Sequence, residues 1–365
     1  MVLKIDKSKV EALAIGGLIL GGGGGGDMSY GVDSAKVALA DNQAPEMIRV
    51  EDLPEGAVVL TISAVGAPSA TEQYVDATNY VEIVELFEKN FDLKVNAVIT
   101  NEMGGGSSFN AFIPSSLKGI PMLDASCNGR AHPLGTMGAM GLAEQEGYVT
   151  QQSAVGGNPT NHKKVQIVAE GSVNSTSTLV RQAAVEAGGV VVVARNPVSK
   201  EFILKNAALG TITQSYEVGA TFLSGKTPEE KVQNVAKYLG GSIICRGKID
   251  ELTLTMVGGL DEGILTIYEA DNRFDLFIWN EYMALDKNGK RQNTFPDLIM
   301  TFDEKTGMPV TSSALVKGQG VFVLQVPYQQ LSLGAGMYEE SGYHRIEAAL
   351  GIEMIPYIKE LIQKK

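Results

Sequence analysis

The chain has 365 residues, 44% of them apolar and 20% charged, with a formal net charge of −12 and two cysteines, Cys127 and Cys245. That length and apolar content can fill two hydrophobic cores, and the acidic balance argues against a protein that grips phosphate backbones, so no nucleic-acid partner is expected. Two cysteines so far apart in sequence cannot build the disulfide framework of a small secreted domain, and a reducing, cytoplasmic setting is expected.

The first element in the chain is an apolar stretch over residues 10–20, interrupted by Glu11 and running into Gly21, Gly22, Gly23, Gly24, Gly25 and Gly26 before Asp27. It is too short to span a bilayer, and no membrane partner is expected. It reads as a buried helix leading into a functional loop, with a signal peptide as the alternative. Because the glycines follow a helix and no Gly-Lys-Ser/Thr comes after them, neither the dinucleotide fingerprint nor the phosphate-binding loop fits, and no NAD or ATP is expected. Glycines let a backbone approach a ligand and offer it N–H donors. Gly25, Gly26 and Asp27 are therefore candidate substrate-binding residues. The plainer reading is a flexible linker with Asp27 capping the next segment.

Residues 57–63 (AVVLTIS) form a continuous apolar run that suits a strand covered on both faces. Residues 80–90 carry Val81, Val84 and Phe87 at helical spacing, residues 95–100 read as a second strand, and residues 121–123 as the end of a third. Two more strands, over 165–169 and 189–194, flank a helix near 177–187. This alternation is how βα units read. Each of the first three strands is followed by a loop: Val65-Gly66-Ala67-Pro68, then Asn101-Glu102-Met103-Gly104-Gly105-Gly106, then the segment from Asp124 to Arg130. Ligands of open α/β sheets bind at the carboxyl ends of strands, so the three loops are expected to share one crevice.

Glu102, with Gly104 and Gly105 behind it, is placed as a general base or metal ligand should be, or is a solvated loop acid. Residues 124–132 bring Asp124, Ser126, Cys127, Arg130 and His132 into one short segment. Cys127 beside an imidazole and a guanidinium could be a low-pKa nucleophile. With His132 and either Glu102 or His162 it could instead hold a zinc ion that activates water. A buried cysteine is more ordinarily inert core.

From residue 241 the pattern changes to short strands, over 252–257, 263–269 and 275–285, with turn signals at Lys287-Asn288-Gly289-Lys290 and Glu304-Lys305-Thr306-Gly307. The division expected is an α/β domain over 1–240, an antiparallel β-rich domain over 241–340 and a helical tail over 341–365.

Taken together, the glycine run ending in Asp27, the Val65-Gly66-Ala67-Pro68 segment, Glu102 with Gly104 and Gly105, and Asp124-Ala125 with Gly129-Arg130-Ala131 resemble the S-methyl thiohydantoin desulfurase family. Trp279-Asn280-Glu281-Tyr282, Phe295-Pro296-Asp297-Leu298-Ile299 and Lys305-Thr306-Gly307-Met308-Pro309-Val310 extend the resemblance into the second half. It implies an N-terminal Rossmann-like α/β domain with a C-terminal antiparallel β-rich domain, and hydrolytic removal of sulfur from C2 of a thiohydantoin or S-methylthiohydantoin to leave a hydantoin. On that reading Glu102 or Asp124 manages protons, and Cys127 and His132, with His162, bind zinc or activate the nucleophile. Arg130, Gly25, Gly26, Asp27, Gly104, Gly105 and Ser126 orient the substrate. The sequence departs from the family pattern where Ser126-Cys127 replaces Asp-Gly and His132 replaces an aromatic residue. The partner expected is a small cyclic amide or thioamide, bound by a homo-oligomer. The alternatives are hydrolysis of a related cyclic amide such as a hydantoin, or a non-catalytic ligand-binding subunit of a hydantoinase-type complex.

Overall fold

A computed structural model describes residues 3–40, 43–66 and 70–363; Ala67 and Pro68 of the expected first crevice loop lie outside the described residues. Helix α1 (Val10–Gly21) is apolar on every side, and all its residues except Glu11 are buried. A helix without a polar face has to lie between layers. The main core accordingly joins Leu13, Ile15 and Ile19 of this helix to Leu60, Ile62 and Val98 on one side and to Leu298, Met300 and Leu324 on the other. α1 stops at Gly22, whose φ of +59° closes the helix by returning its N–H to the carbonyl of Ile19.

Helix α2 (Met28–Ala38) follows, and then β1 (Met47–Ile48), β2 (Val58–Gly66), α3 (Ala77–Phe91), β3 (Ala97–Glu102), α4 (Phe112–Lys118) and β4 (Met122–Asn128). The start of α3 is fixed by reciprocal capping between Asp76 and Asn79, and its buried side is Tyr80, Ile83, Val84 and Phe87. The chain continues with β5 (Thr150–Gly156), β6 (Val165–Gly171), α5 (Val173–Glu186), β7 (Val190–Ser199), α6 (Lys200–Asn206), β8 (Ala208–Leu209), α7 (Thr211–Leu223) and α8 (Pro228–Tyr238). The first sheet runs β1-β4-β3-β2-β7-β5-β6, with β8 beside β4. Its β1, β4, β3 and β2 are parallel. The other half is antiparallel; within it, the short connection between β5 and β6 leaves no length for a crossover. α1 and α7 cross at glycines: a Cβ on Gly16 would lie 1.7 Å from the Ser215 carbonyl oxygen, and one on Gly219 the same distance from that of Ala12.

The second sheet, β9 (Ser242–Val257), β10 (Leu260–Glu269), β11 (Asn272–Trp279), β12 (Glu281–Lys287), β13 (Lys290–Thr294), β14 (Leu298–Asp303), β15 (Pro309–Val310) and β16 (Gly320–Val326), is antiparallel throughout. An α/β first half with a β-rich second half is the class that the sequence pattern predicts. Helices α9 (Glu340–Leu350) and α10 (Lys359–Ile362) close the chain. Tyr343, Ile346 and Leu361 pack with Trp279 and Phe295 of the second half and with Leu134 and Met137 of the first. No helix among the described residues is long and apolar enough to cross a membrane.

Candidate functional site

A cleft of about 940 Å³ opens between the carboxyl ends of β2 and β3 on one side and the β11–β12 corner on the other. The glycine run threads between these walls. The carbonyl oxygen of Gly25 accepts from Gly106 N (3.1 Å), Ser107 N (3.0 Å) and Ser107 Oγ (2.9 Å), which ties the run to the loop after β3. The carbonyls of Gly22 and Gly23 accept from Tyr282 N (3.0 Å) and Ser312 N (2.9 Å), which ties it to the second sheet. Side chains are excluded on both sides of the run. A Cβ on Gly25 would stand 2.6 Å from Gly104 Cα, and one on Gly24 2.0 Å from Glu281 Oε1. The N–H groups of Gly23, Gly25 and Gly26 meet no acceptor among the described residues, and these three residues line the cleft.

Glu102 ends β3 and is 8% exposed. Its Oε2 accepts from the backbone N–H of His132 (3.3 Å) and lies 3.1 Å from His132 Nδ1, which is also 3.4 Å from the Arg130 carbonyl oxygen. Both neighbours of Nδ1 are acceptors, so this nitrogen carries the imidazole proton. Burial, helped by the positive charges of Arg195 and Arg130, holds His132 down at about 3, so the ring is neutral and the contact is a hydrogen bond, not an ion pair. Burial pushes the Glu102 carboxyl up to about 7, against the pull of the His132 N–H and of Arg195. Across the cleft Glu281, at the start of β12, is 2% exposed. Burial first, and the nearby Glu102 second, raise it well above the ordinary carboxyl range, with Arg130 and Arg181 opposing. A carboxyl that titrates near neutrality therefore shares the cleft with a second whose ionisation is opposed by burial and by the charge of the first.

Other cleft residues supply polar and apolar contact. Arg195, from β7, is 3% exposed, and its Nε has no partner among the described residues; the same is true of Glu281 Oε2 and Ser177 Oγ. Arg181 of α5 donates to the carbonyls of Gly259 (2.8 Å) and Pro133 (3.2 Å), holding the β9–β10 turn over the opening. Trp279 presents its ring and donates from Nε1 to Glu262 (3.1 Å).

Of the residues singled out from sequence, Gly25, Gly26, Asp27, Glu102 and His132 line this cleft. Asp27 also caps α2 through Ser29 N (2.7 Å). Gly104 and Gly105 lie directly behind Gly25 and Gly26 and support them. Asp124 and Ser126 are spent on the start of α7: Asp124 accepts from Thr213 N (3.0 Å) and Thr213 Oγ1 (2.6 Å), and Ser126 Oγ from Thr211 Oγ1 (2.9 Å). Arg130 is fully buried. Its guanidinium sits 4.4 Å from the centre of the Phe295 ring and donates to the carbonyls of Pro296 and Asp297, stapling the end of β4 to the second sheet.

Cys127 does not fit the reading as a low-pKa nucleophile. The segment read as a loop is strand up to Asn128, and strand alternation turns Leu123, Ala125 and Cys127 together into an apolar cluster with Val59, Ile99 and Ile203. Among the described residues its Sγ hydrogen-bonds only with Thr61 Oγ1 (3.3 Å), and burial pushes the thiol up to about 11. His162 is exposed at the turn between β5 and β6. The structure does not bring Cys127, His132 and His162 together, and among the described residues no three His, Cys, Asp or Glu side chains form a metal-holding group. A zinc ion does not fit these residues. The reading missed Arg195 and Ser177, and it missed Glu281 as a site residue although Trp279-Asn280-Glu281-Tyr282 stood out as a motif.

Comparison with known proteins gives two family matches, "S-Me-THD-like, N-terminal domain" over residues 8–160 and "S-Me-THD-like, C-terminal domain" over residues 172–333. No curated protein matches the sequence. A crystal structure of a protein from Chromobacterium violaceum superimposes with a TM-score of 0.72 at 18% identity, covering 95% of this chain and 96% of that one, a likeness of fold.

Proposed function

This chain belongs to the S-Me-THD-like family of S-methyl thiohydantoin desulfurases and their relatives, and from that premise we propose that it hydrolyses the C2–sulfur bond of an S-methylthiohydantoin to give a hydantoin and methanethiol. The observation that supports this chemistry is the pair of buried carboxyls, Glu102 and Glu281, brought to one cleft from two sheets, with burial opposing the ionisation of each.

The carboxylate of Glu102, its orientation fixed by the neutral His132, takes a proton from water as the oxygen adds to C2. Glu281 delivers its proton to the ring nitrogen as the C2=N double bond becomes single. On collapse the new hydroxyl returns its proton to Glu281, the C2–S bond breaks, and the departing thiolate takes the proton held by Glu102. Both carboxyls end as they began, and water has been split between the ring and methanethiol. The free N–H groups of Gly23, Gly25 and Gly26 orient the ring.

The test is incubation of the purified protein with S-methylthiohydantoin, with hydantoin followed by mass spectrometry and methanethiol by a thiol reagent. Glu102→Gln and Glu281→Gln should each lower turnover by about 100-fold or more. Turnover unaffected by both would refute the assignment, and no thiol release by the wild type would refute the reaction.

A further inference from the structure

The proposed hydrolysis leaves part of the cleft wall unused. Arg195 and Ser177 meet there at Gly135, where a Cβ would stand 2.9 Å from Ser177 Oγ and 3.1 Å from Arg195 Nη1. Arg195 is 3% exposed, no carboxylate lies within ion-pair distance of it among the described residues, and its Nε is unpartnered, as is Ser177 Oγ. The groups that bear on this cation are Glu102 from β3, the neutral thiol of Cys127 from β4, His132 from the loop beyond β4 and Arg181 from α5. Two of these are uncharged, one repels it, and Glu102 carries a full charge only above neutrality. A buried cation so poorly compensated, beside a free hydroxyl, is a site prepared for negative charge.

We propose that Arg195 and Ser177 form a seat for negative charge on the substrate ring, donating to the N3–C4=O edge of a hydantoin-type heterocycle. This rests on the reading of the substrate as such a ring. When water adds across the C2=N3 bond, negative charge develops on N3 and is shared with the C4 oxygen as Glu281 transfers its proton to the nitrogen. Arg195 Nε and Ser177 Oγ stabilise that developing charge. Hydantoins are N–H acids, and their ring anion carries charge over the same atoms. The cleft therefore binds the deprotonated ring in preference to the neutral one.

The experiment is spectrophotometric titration of 5-benzylidenehydantoin, a sulfur-free ligand whose absorption changes on ring deprotonation, free and bound to the full-length protein. The expected result is that the bound ligand ionises at least about one pH unit lower than the free one, equivalent to tenfold tighter binding of the anion. Arg195→Lys should retain part of the shift, and Ser177→Ala should reduce it. Binding with ionisation at or above the free value would overturn the seat and leave the proposed reaction standing. Failure of both this ligand and unsubstituted hydantoin, tested separately by titration calorimetry, to bind would overturn the reading of the substrate ring and this inference with it.

Discussion

Glutamine at position 102 should make the protein more stable above neutral pH, although it removes the proposed catalytic base. Glu102 holds its proton up to about 7 in the folded chain, against an ordinary value of 4.5. Between those values the folded state carries the extra proton. Its contribution is fully present below 4.5, falls as pH rises, and is gone above about 7. A carboxyl moved over most of that interval corresponds to about 2–3 kcal/mol between pH 5 and pH 8. Glutamine has no proton to lose and keeps an oxygen to accept the His132 N–H, so Glu102→Gln escapes this decline. Titrating groups that do not interact with Glu102 change in both proteins and cancel from the difference, and Glu281, which the Glu102 charge also raises, remains raised by its burial in the variant. Urea-denaturation free energies of the two proteins, measured every half unit from pH 5 to 8, should diverge by about 2–3 kcal/mol in favour of the variant, with the divergence complete near pH 7.5. A difference that stays flat within about 0.5 kcal/mol would mean that Glu102 ionises normally, and the assignment of a base poised near neutrality would fall with it.

The same ionisation should appear in turnover: thiol release by the wild type is expected to rise with pH through about 7, as Glu102 loses its proton, while Glu281 remains protonated. A profile falling over that range would reverse the two roles. Cys127→Ala should leave turnover within about twofold and cost about 1 kcal/mol of stability, since the thiol fills an apolar cluster outside the cleft; loss of activity in a folded variant would restore the thiol to the mechanism. Gly25→Ala should be far worse than Gly56→Ala. Both residues have a left-handed φ, +78° and +73°, which costs an alanine about 1–2 kcal/mol. Only at Gly25 does the added methyl meet backbone, 2.6 Å from Gly104 Cα, whereas nothing lies within 4 Å of it at Gly56. Equal melting-point losses for the two would show that the interlock is not tight.

The parts of the site legible in the sequence are those that local rules govern. Glu102 ends a parallel strand and precedes glycines, and the glycine run follows an apolar helix; strand ends and close backbone approach leave such marks. The segment from Asp124 to Asn128 misled because its polar side chains look like a loop. They are strand residues satisfied from outside, Asp124 by Thr213 and Ser126 by Thr211, partners 89 and 85 residues away in sequence that no local pattern reveals. Once β4 reached Asn128, alternation took Cys127 out of the cleft. Arg195 sits in the run 190–199 beginning with four valines, where the period of a strand is plain but the face that borders a cavity is not. Glu281 belongs to the other sheet, and only the packing of α1 between the sheets brings it opposite Glu102.

That packing explains why the glycine run has to be a run. Its residues bond in succession to different walls, Gly22 to Tyr282 of the second sheet, Gly23 to Ser312 in the turn after β15, and Gly25 to the loop just beyond Glu102 in the first. The spacing between the two carboxyls is thus set by backbone hydrogen bonds across three or four residues, and any side chain on Gly24 or Gly25 would enter the gap between the walls. Arg130 reinforces the same spacing from behind, with its guanidinium on Phe295 and the Pro296 and Asp297 carbonyls. Two carboxyls on separate sheets can hold opposite protonation states only while their separation and their burial are fixed together. A loosened glycine run would admit water and let both return toward ordinary carboxylate values, so catalysis and the pH dependence of stability should fail in the same variants.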